Sequence, residues 1–270
     1  MVSLRDLEVL ELMARGVKST VRSSEENSDP TDEALKRALS RTAGKNATDP
    51  ARGRVERIEA MRTRLSQDHS ILEITDFGAG TPEPKWTGAE MNAGIKRTAT
   101  VSQAVLASCP ERWGLFLFHL IREVKPERCL ELGTCLGVSA AYQALALEMN
   151  DRGHLYTLEG APELAAMAAT NLRALDIARA TVVPGRFRDS LETVLEANEL
   201  FDYVFIDGHH DEKATVEYFE LIRPRLSVGA LLVFDDIAWS AGMTRAWRTI
   251  REHPRISYSS DLISMGIVRI

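Results

Sequence analysis

Three aspartates and a pair of histidines are the residues of this 270-residue chain best suited to chemistry. Asp207 ends the apolar run FDYVFID (201–207), His209 and His210 follow it, and Asp235–Asp236 end a second run, ALLVFDD (230–236). Carboxylates at neighbouring strand ends would converge on one crevice. There they repel one another and hold their protons unless a hard divalent cation joins them through oxygen ligands. Mg²⁺ suits that donor set, because it keeps several waters or substrate oxygens in its shell. The competing assignment leaves Asp207 to orient an organic cofactor and Asp235–Asp236 to cap the next helix. A neutral histidine can accept a proton from a hydroxyl. His210 is therefore the candidate base and His209 the second choice, a polar surface residue being the alternative for either.

A second constellation lies upstream. CLEL (129–132) runs into Gly133-Thr-Cys-Leu-Gly137, and HLYTLE (154–159) ends in Glu159. Glycines there let a ligand approach the backbone, and the next helix offers its free N–H groups. The spacing is not GxGxxG, which disfavours a pyrophosphate-binding dinucleotide site. A carboxylate at the end of the second strand can accept both hydroxyls of a ribose. An acid made favourable by the dipole of the following helix is the competing reading of Glu159.

These residues need a scaffold, and the pattern from Cys129 onward supplies one. Continuous apolar runs at 129–132, 154–159, 180–183, 201–207 and 230–236 alternate with amphipathic stretches near 138–148, 162–174, 190–197, up to about 222, and 243–252. Such alternation predicts a parallel sheet covered by helices on both faces. ISYSSDL and MGIVRI have no room for a crossover helix between them, so they predict an antiparallel hairpin at the sheet edge. In open sheets of this class ligands bind beyond the carboxyl ends of the strands, where both constellations fall.

Residues 1–95 read as a separate extension. Leu4, Leu7 and Leu10, with Leu12 and Met13, predict a short amphipathic helix. The polar stretch 18–54, with Asp-Pro at 29–30 and 49–50, predicts loose order with at most a helix around Asp32–Leu39. Val55, Ile58, Met61 and Leu65 mark another helix, whose arginines form a solvated face or an acidic-partner surface. ILEITDFGAGTPEPKW is a strand followed by a loop (74–88) that is either an active-site cap or an ordinary turn. Its DFG triplet matches a kinase metal loop, but no Gly-rich ATP loop, VAIK-like lysine or HRD sequence accompanies it.

Composition narrows the partners. The net charge of −6 argues against nucleic acid as the main partner, and no apolar run approaches a bilayer span. The start of the chain lacks a signal-peptide pattern, and three cysteines without metal-ligand spacing suit a reducing cytoplasm. A homodimer is the default expectation, since small enzymes favour two-fold symmetry.

Taken in order, ELGTCLGVSAAY, YTLEGAPE, FIDGHH and LLVFDDIAW resemble the class I S-adenosylmethionine-dependent methyltransferases. The likeness is nearest to the catechol O-methyltransferase group and the bacterial macrolide-sugar O-methyltransferases, and spans Thr98 to Ile270. It implies a Rossmann-like, mostly parallel seven-stranded sheet in residues 96–270. By that resemblance Glu131, Gly133 and Thr134 line the methionine part of the cofactor and Ser139 contacts its carboxylate. Glu159 holds the ribose, and Gly185, Phe187 and Arg188 surround the adenine. Cys135 stands where catechol-type enzymes often carry an aromatic residue. Asp207, Asp235 and Asp236 match the metal ligands of that group, and His210 the proposed base of the sugar-modifying enzymes. The implied reaction is Mg²⁺-assisted methyl transfer to a hydroxyl of a small acceptor, a vicinal diol or catechol-like compound. Metal-independent N- or O-transfer, a tRNA substrate favoured by the basic stretch 41–64, and a non-catalytic cofactor-binding module are the alternatives. Phe77, Trp86, Trp113 and Trp239 are candidates for a flat acceptor pocket or for core packing.

Overall fold

The computed structural model describes residues 19–21, 29–44, 50–76 and 94–270. The leucine-spaced segment 4–13 and the loop residues 77–88, with Phe77 and Trp86, lie outside these. The N-terminal elements are β1 (Ser19–Val21), α1 (Pro30–Ala43), α2 (Arg52–Ser66), β2 (Ile71–Asp76) and β3 (Ile95–Thr100). The short α3 (Val101–Ala104), a 3-10 turn and α4 (Glu111–Val124) lead into the alternating region. There β4 (Arg128–Leu132), α5 (Val138–Met149), β5 (His154–Glu159), α6 (Pro162–Ala174) and β6 (Ala180–Pro184) form the first half. α7 (Phe187–Ala197), β7 (Phe201–Ile206), α8 (Glu212–Ile222), β8 (Leu226–Phe234), α9 (Ala241–Arg251), β9 (Tyr258–Leu262) and β10 (Met265–Arg269) complete it.

The main sheet has the order β1-β9-β10-β8-β7-β4-β5-β6. Strands β4 to β8 are parallel, while β10 pairs antiparallel with β8 and with β9, as the terminal hairpin requires. The seven expected strands are joined by an eighth, because β1 adds antiparallel to β9. After β4 the chain winds outward through β5 and β6, then returns to β7 on the other side of β4. The strand order thus reverses between β4 and β7, and a crevice opens above their carboxyl ends.

Side chains alternate across each strand with period two. Cys129, Tyr203 and Phe205 face a core shared with α1, α2, α4 and α5. Leu130, Leu132, Val204 and Ile206 face the opposite core, filled by Leu191, Phe219 and Trp247 from α7, α8 and α9.

Residues 29–44 hold the helix expected around Asp32–Leu39, extended at both ends and packed into the core instead of loosely ordered. Asp29 caps α1 by accepting from the Thr31 N–H at 2.8 Å, and Pro30 stands in the first turn, where its missing N–H costs nothing. Leu35, Ala38 and Leu39 are fully buried, with α1 packed on α4. The Arg269 guanidinium forks onto Asp29 at 2.9 and 2.7 Å, and the Tyr258 hydroxyl meets Asp32 at 3.2 Å. The helix is therefore an integral layer of the fold. β2 and β3 pair antiparallel in a separate two-stranded sheet, which crosses the boundary expected after residue 95.

Candidate active site

A cleft of about 830 Å³ lies above the reversal point, within the range of small-molecule and cofactor sites. Gly133 brings its two sides together. Its φ is +109°, and a Cβ there would stand 2.0 Å from the Asp207 carbonyl oxygen, so only glycine lets β4 end this close to β7. The Asp207 N–H donates to the Leu132 carbonyl at 2.8 Å, which ties the two strand ends from the other direction. Gly137, at φ +85°, opens α5, so that helix aims its first N–H groups at the cleft.

Thr134, Cys135, Ser139, Glu159, Phe187, Arg188, Asp207 and His210 line this one space with Gly133. The Glu159 carboxylate accepts from the Cys135 N–H at 2.7 Å and the Ala161 N–H at 2.9 Å, fixing its direction. Burial raises its pKa, and those N–H groups pull it back down. Burial pushes the Cys135 thiol up to about 12, so it is a neutral wall of the cleft rather than a nucleophile.

Glu131 does not line the cleft. It is fully buried beneath the glycine loop, where Gln143 Nε2 donates to it at 2.6 Å and Thr157 Oγ1 at 2.5 Å. Thr134 and Thr157 share a hydroxyl contact at 2.5 Å, so a chain of hydroxyls links Glu131 to the cleft wall. Burial raises the Glu131 carboxyl to about 7, against hydrogen bonds from Thr157, Ser139 and Gln143. Gly185 sits at the turn after β6, its N–H donating to the Glu159 carbonyl at 2.8 Å, beside the cleft and not in its wall.

Asp207 and Asp236 flank His210, while Asp235 and Asp236 are not among the residues that line the cleft. His210 Nε2 is 3.7 Å from Asp207 Oδ1 and 3.7 Å from Asp236 Oδ2, too far for hydrogen bonds. The Asp207 carboxyl lies well above the usual range through burial and the neighbouring Asp235 charge. Asp235 is pushed to about 7 by burial and by Asp236. Burial lowers His210 against the pull of Asp236, which leaves its imidazole neutral near pH 7. Among the described residues, no group of three or more His, Cys, Asp or Glu side chains is arranged to hold a metal.

Two features escape a sequence reading. Tyr218, which no motif marks, meets the second-choice base His209 (φ +55°) through its hydroxyl at 2.8 Å, and both line the cleft. The β2–β3 hairpin forms another wall through Ile74, Asp76 and Arg97. The run ILEITD marks the first strand, but nothing local shows that IKRTAT returns beside it. The tryptophans divide. Trp113 is core, edge-on to Phe116 at 5.6 Å, whereas Trp239 is 45% exposed with its ring 6.5 Å from that of His210.

Known proteins match the stretch of chain that carries the cleft. A family model described as a methyltransferase domain matches residues 130–237, the stretch from β4 to just past Asp236. A catechol O-methyltransferase of Niastella koreensis is 32% identical over 154 residues, covering 56% of this chain and 68% of that protein. Two solved structures bound to S-adenosylhomocysteine share the fold. A Podospora anserina methyltransferase has a TM-score of 0.58 at 17% identity, covering 92% of this chain and 98% of that one. An O-methyltransferase from Bacillus cereus has a TM-score of 0.57 at 18% identity, covering 83% and 94%. No helix among the described residues is long and apolar enough to cross a membrane.

Proposed function

Because the chain belongs to the class I S-adenosylmethionine-dependent O-methyltransferases, we propose that it methylates one hydroxyl of a small vicinal diol or catechol-like acceptor, with His210 as base and Mg²⁺ held by Asp207, Asp235 and Asp236. The observation that carries this reading is the His210 imidazole, 3.7 Å from Asp207 on one side and 3.7 Å from Asp236 on the other, in the same cleft as Glu159 and the glycine loop. Gly133, Thr134 and Ser139 border the methionine half of the cofactor, Glu159 takes the ribose hydroxyls, and Phe187 and Arg188 flank the adenine. Cys135 closes the wall beside them, and Gly185 backs the adenine side. Glu131 acts from below, by holding Thr157 and through it Thr134. In the transfer His210 takes the acceptor proton, the methyl carbon leaves sulfur for oxygen, and S-adenosylhomocysteine is released. Alignment of the three atoms within the cleft supplies much of the acceleration.

The donor set fits a hard cation. Burial and mutual repulsion raise Asp207 and Asp235, and Arg112 offsets Asp235 only in part. Bound Mg²⁺ would relieve that repulsion and make a hydroxyl beside it more acidic. Trp239, exposed beside His210, offers a flat acceptor a stacking face. A metal-free reading also has an observation in its favour, since the carboxyls are not grouped around one point and His210 occupies the space between two of them.

Calorimetric titration with S-adenosylmethionine and with Mg²⁺, on the wild type and on an Asp235→Ala, Asp236→Ala double variant, separates the readings. Loss of Mg²⁺ binding alone in the variant, with catechol turnover abolished by chelator, supports metal assistance; full turnover in chelator selects the metal-free reading. His210→Ala should lower turnover by about 10²–10⁴ with cofactor binding unchanged. An undiminished rate removes His210 from the reaction.

A further inference from the structure

The β2–β3 hairpin lies outside the alternating β/α region, yet it closes one side of the cleft. Its register sets Ile74 directly opposite Arg97, and Asp76 sits on the diagonal, so all three side chains share one face. That face turns inward: Ile74 and Asp76 are buried, and all three residues line the cleft. β2 packs on α6, the helix that begins just after Glu159, so the hairpin stands over the end of the cleft where the ribose acid lies.

Arg97 is tied to this wall through Asp76. Its Nε sits 2.9 Å from Asp76 Oδ2, while its side chain stays half exposed. A buried carboxylate holding a guanidinium restrains its plane, and Arg97 lines the cleft with half of its side chain accessible to a ligand. A planar cation of this kind packs against the face of an aromatic base and donates to ring or sugar oxygens and nitrogens. Phe187 lines the same cleft and offers an aromatic base a second face.

We propose that Arg97, oriented by Asp76, is a binding residue for the ribosyl-adenine half of S-adenosylmethionine, so that the N-terminal hairpin completes a cofactor site otherwise built from the β/α region. This rests on Glu159 being the ribose acid of the proposed function. The test is calorimetric titration of the full chain, wild type and the Arg97→Met and Asp76→Asn variants, with S-adenosylhomocysteine. A second ligand, 5′-deoxy-5′-methylthioadenosine, keeps the nucleoside and lacks the amino-acid end. Both variants should bind both ligands about tenfold more weakly, the loss expected for a charge-assisted contact. Arg97→Met keeps the apolar stem of a half-exposed side chain, so the hairpin should stay folded, which circular dichroism and the melting temperature check. Unchanged binding of S-adenosylhomocysteine by a folded Arg97→Met overturns the proposal and leaves the cofactor reading standing. A loss confined to S-adenosylhomocysteine and absent for the nucleoside fragment also overturns it, since the hairpin would then serve the other end of the cofactor. Failure of the wild type to bind S-adenosylhomocysteine removes the cofactor reading itself, and the proposal with it.

Discussion

Replacing Glu131 by glutamine should change how stability depends on pH, in a direction and by an amount the geometry predicts. The carboxyl is fully buried and stands at about 7 instead of its ordinary 4.5. Below pH 4.5 it is protonated in both the folded and the unfolded chain. Between 4.5 and about 7 the unfolded chain releases the proton while the folded one keeps it, so folding stability falls as pH rises through that window. Above about 7 the loss is complete, and its full size is roughly 3 kcal/mol. Glutamine cannot ionise, so the variant lacks this slope. It also turns an N–H₂ toward one of the donors that now point at Glu131, a pH-independent cost of about 1–2 kcal/mol. The assay is urea unfolding of both proteins across about pH 5 to 8, read as the wild-type-minus-variant difference, in which the other shifted acids largely cancel. That difference should favour the wild type at the acid end and decline by roughly 3 kcal/mol toward the alkaline end. Parallel profiles would refute the reasoning, because Glu131 would then titrate alike in the folded and unfolded chain.

Two further perturbations probe the frame around the site. Gly133→Ala adds a methyl 2.0 Å from the Asp207 carbonyl oxygen at φ +109°, so we expect a loss of about 3–5 kcal/mol in urea unfolding, and a loss below about 1 kcal/mol would show that the strand ends are freer than described. Arg269→Met leaves the buried Asp29 without its partner; stability should drop by about 3 kcal/mol and amide exchange should accelerate over α1, whereas unchanged protection there would mean the helix is held without this pair.

The alternating region was legible because each strand is a closed apolar run with a chemically marked end. Leu130 to Leu132, Leu155 to Leu158 and Val204 to Ile206 could only be strands buried on both faces, and Gly133, Glu159 and Asp207 stand where those runs stop. The same logic brought His210 and its flanking aspartates to one place. Where it failed, the governing contact was distant. Asp29–Pro30 reads locally as a breaker, yet the same pair makes a good helix start once Arg269, 240 residues away, neutralises the aspartate. α4 is buried nearly all round, with Trp113, Phe116, Leu117, Phe118, Leu120 and Ile121 inside, because α1 and α5 both pack on it, and the first of these comes from far earlier in the chain. β3 alternates weakly because most of it is exposed, and only its register with β2 makes Arg97 part of a cleft.

The bond between Asp29 and Arg269 also sets an order of events during synthesis. The ribosome delivers α1 early, with the apolar row Leu35, Ala38 and Leu39 that ends fully buried. Its seat on α4 emerges some eighty residues later, and the β9–β10 hairpin that supplies Tyr258 and Arg269 follows only after the whole alternating region. For most of translation this helix is a hydrophobic segment waiting for its clasp, open to chaperones or to the wrong neighbour. Strand β10, which follows every other described element, is the one that locks α1 in place.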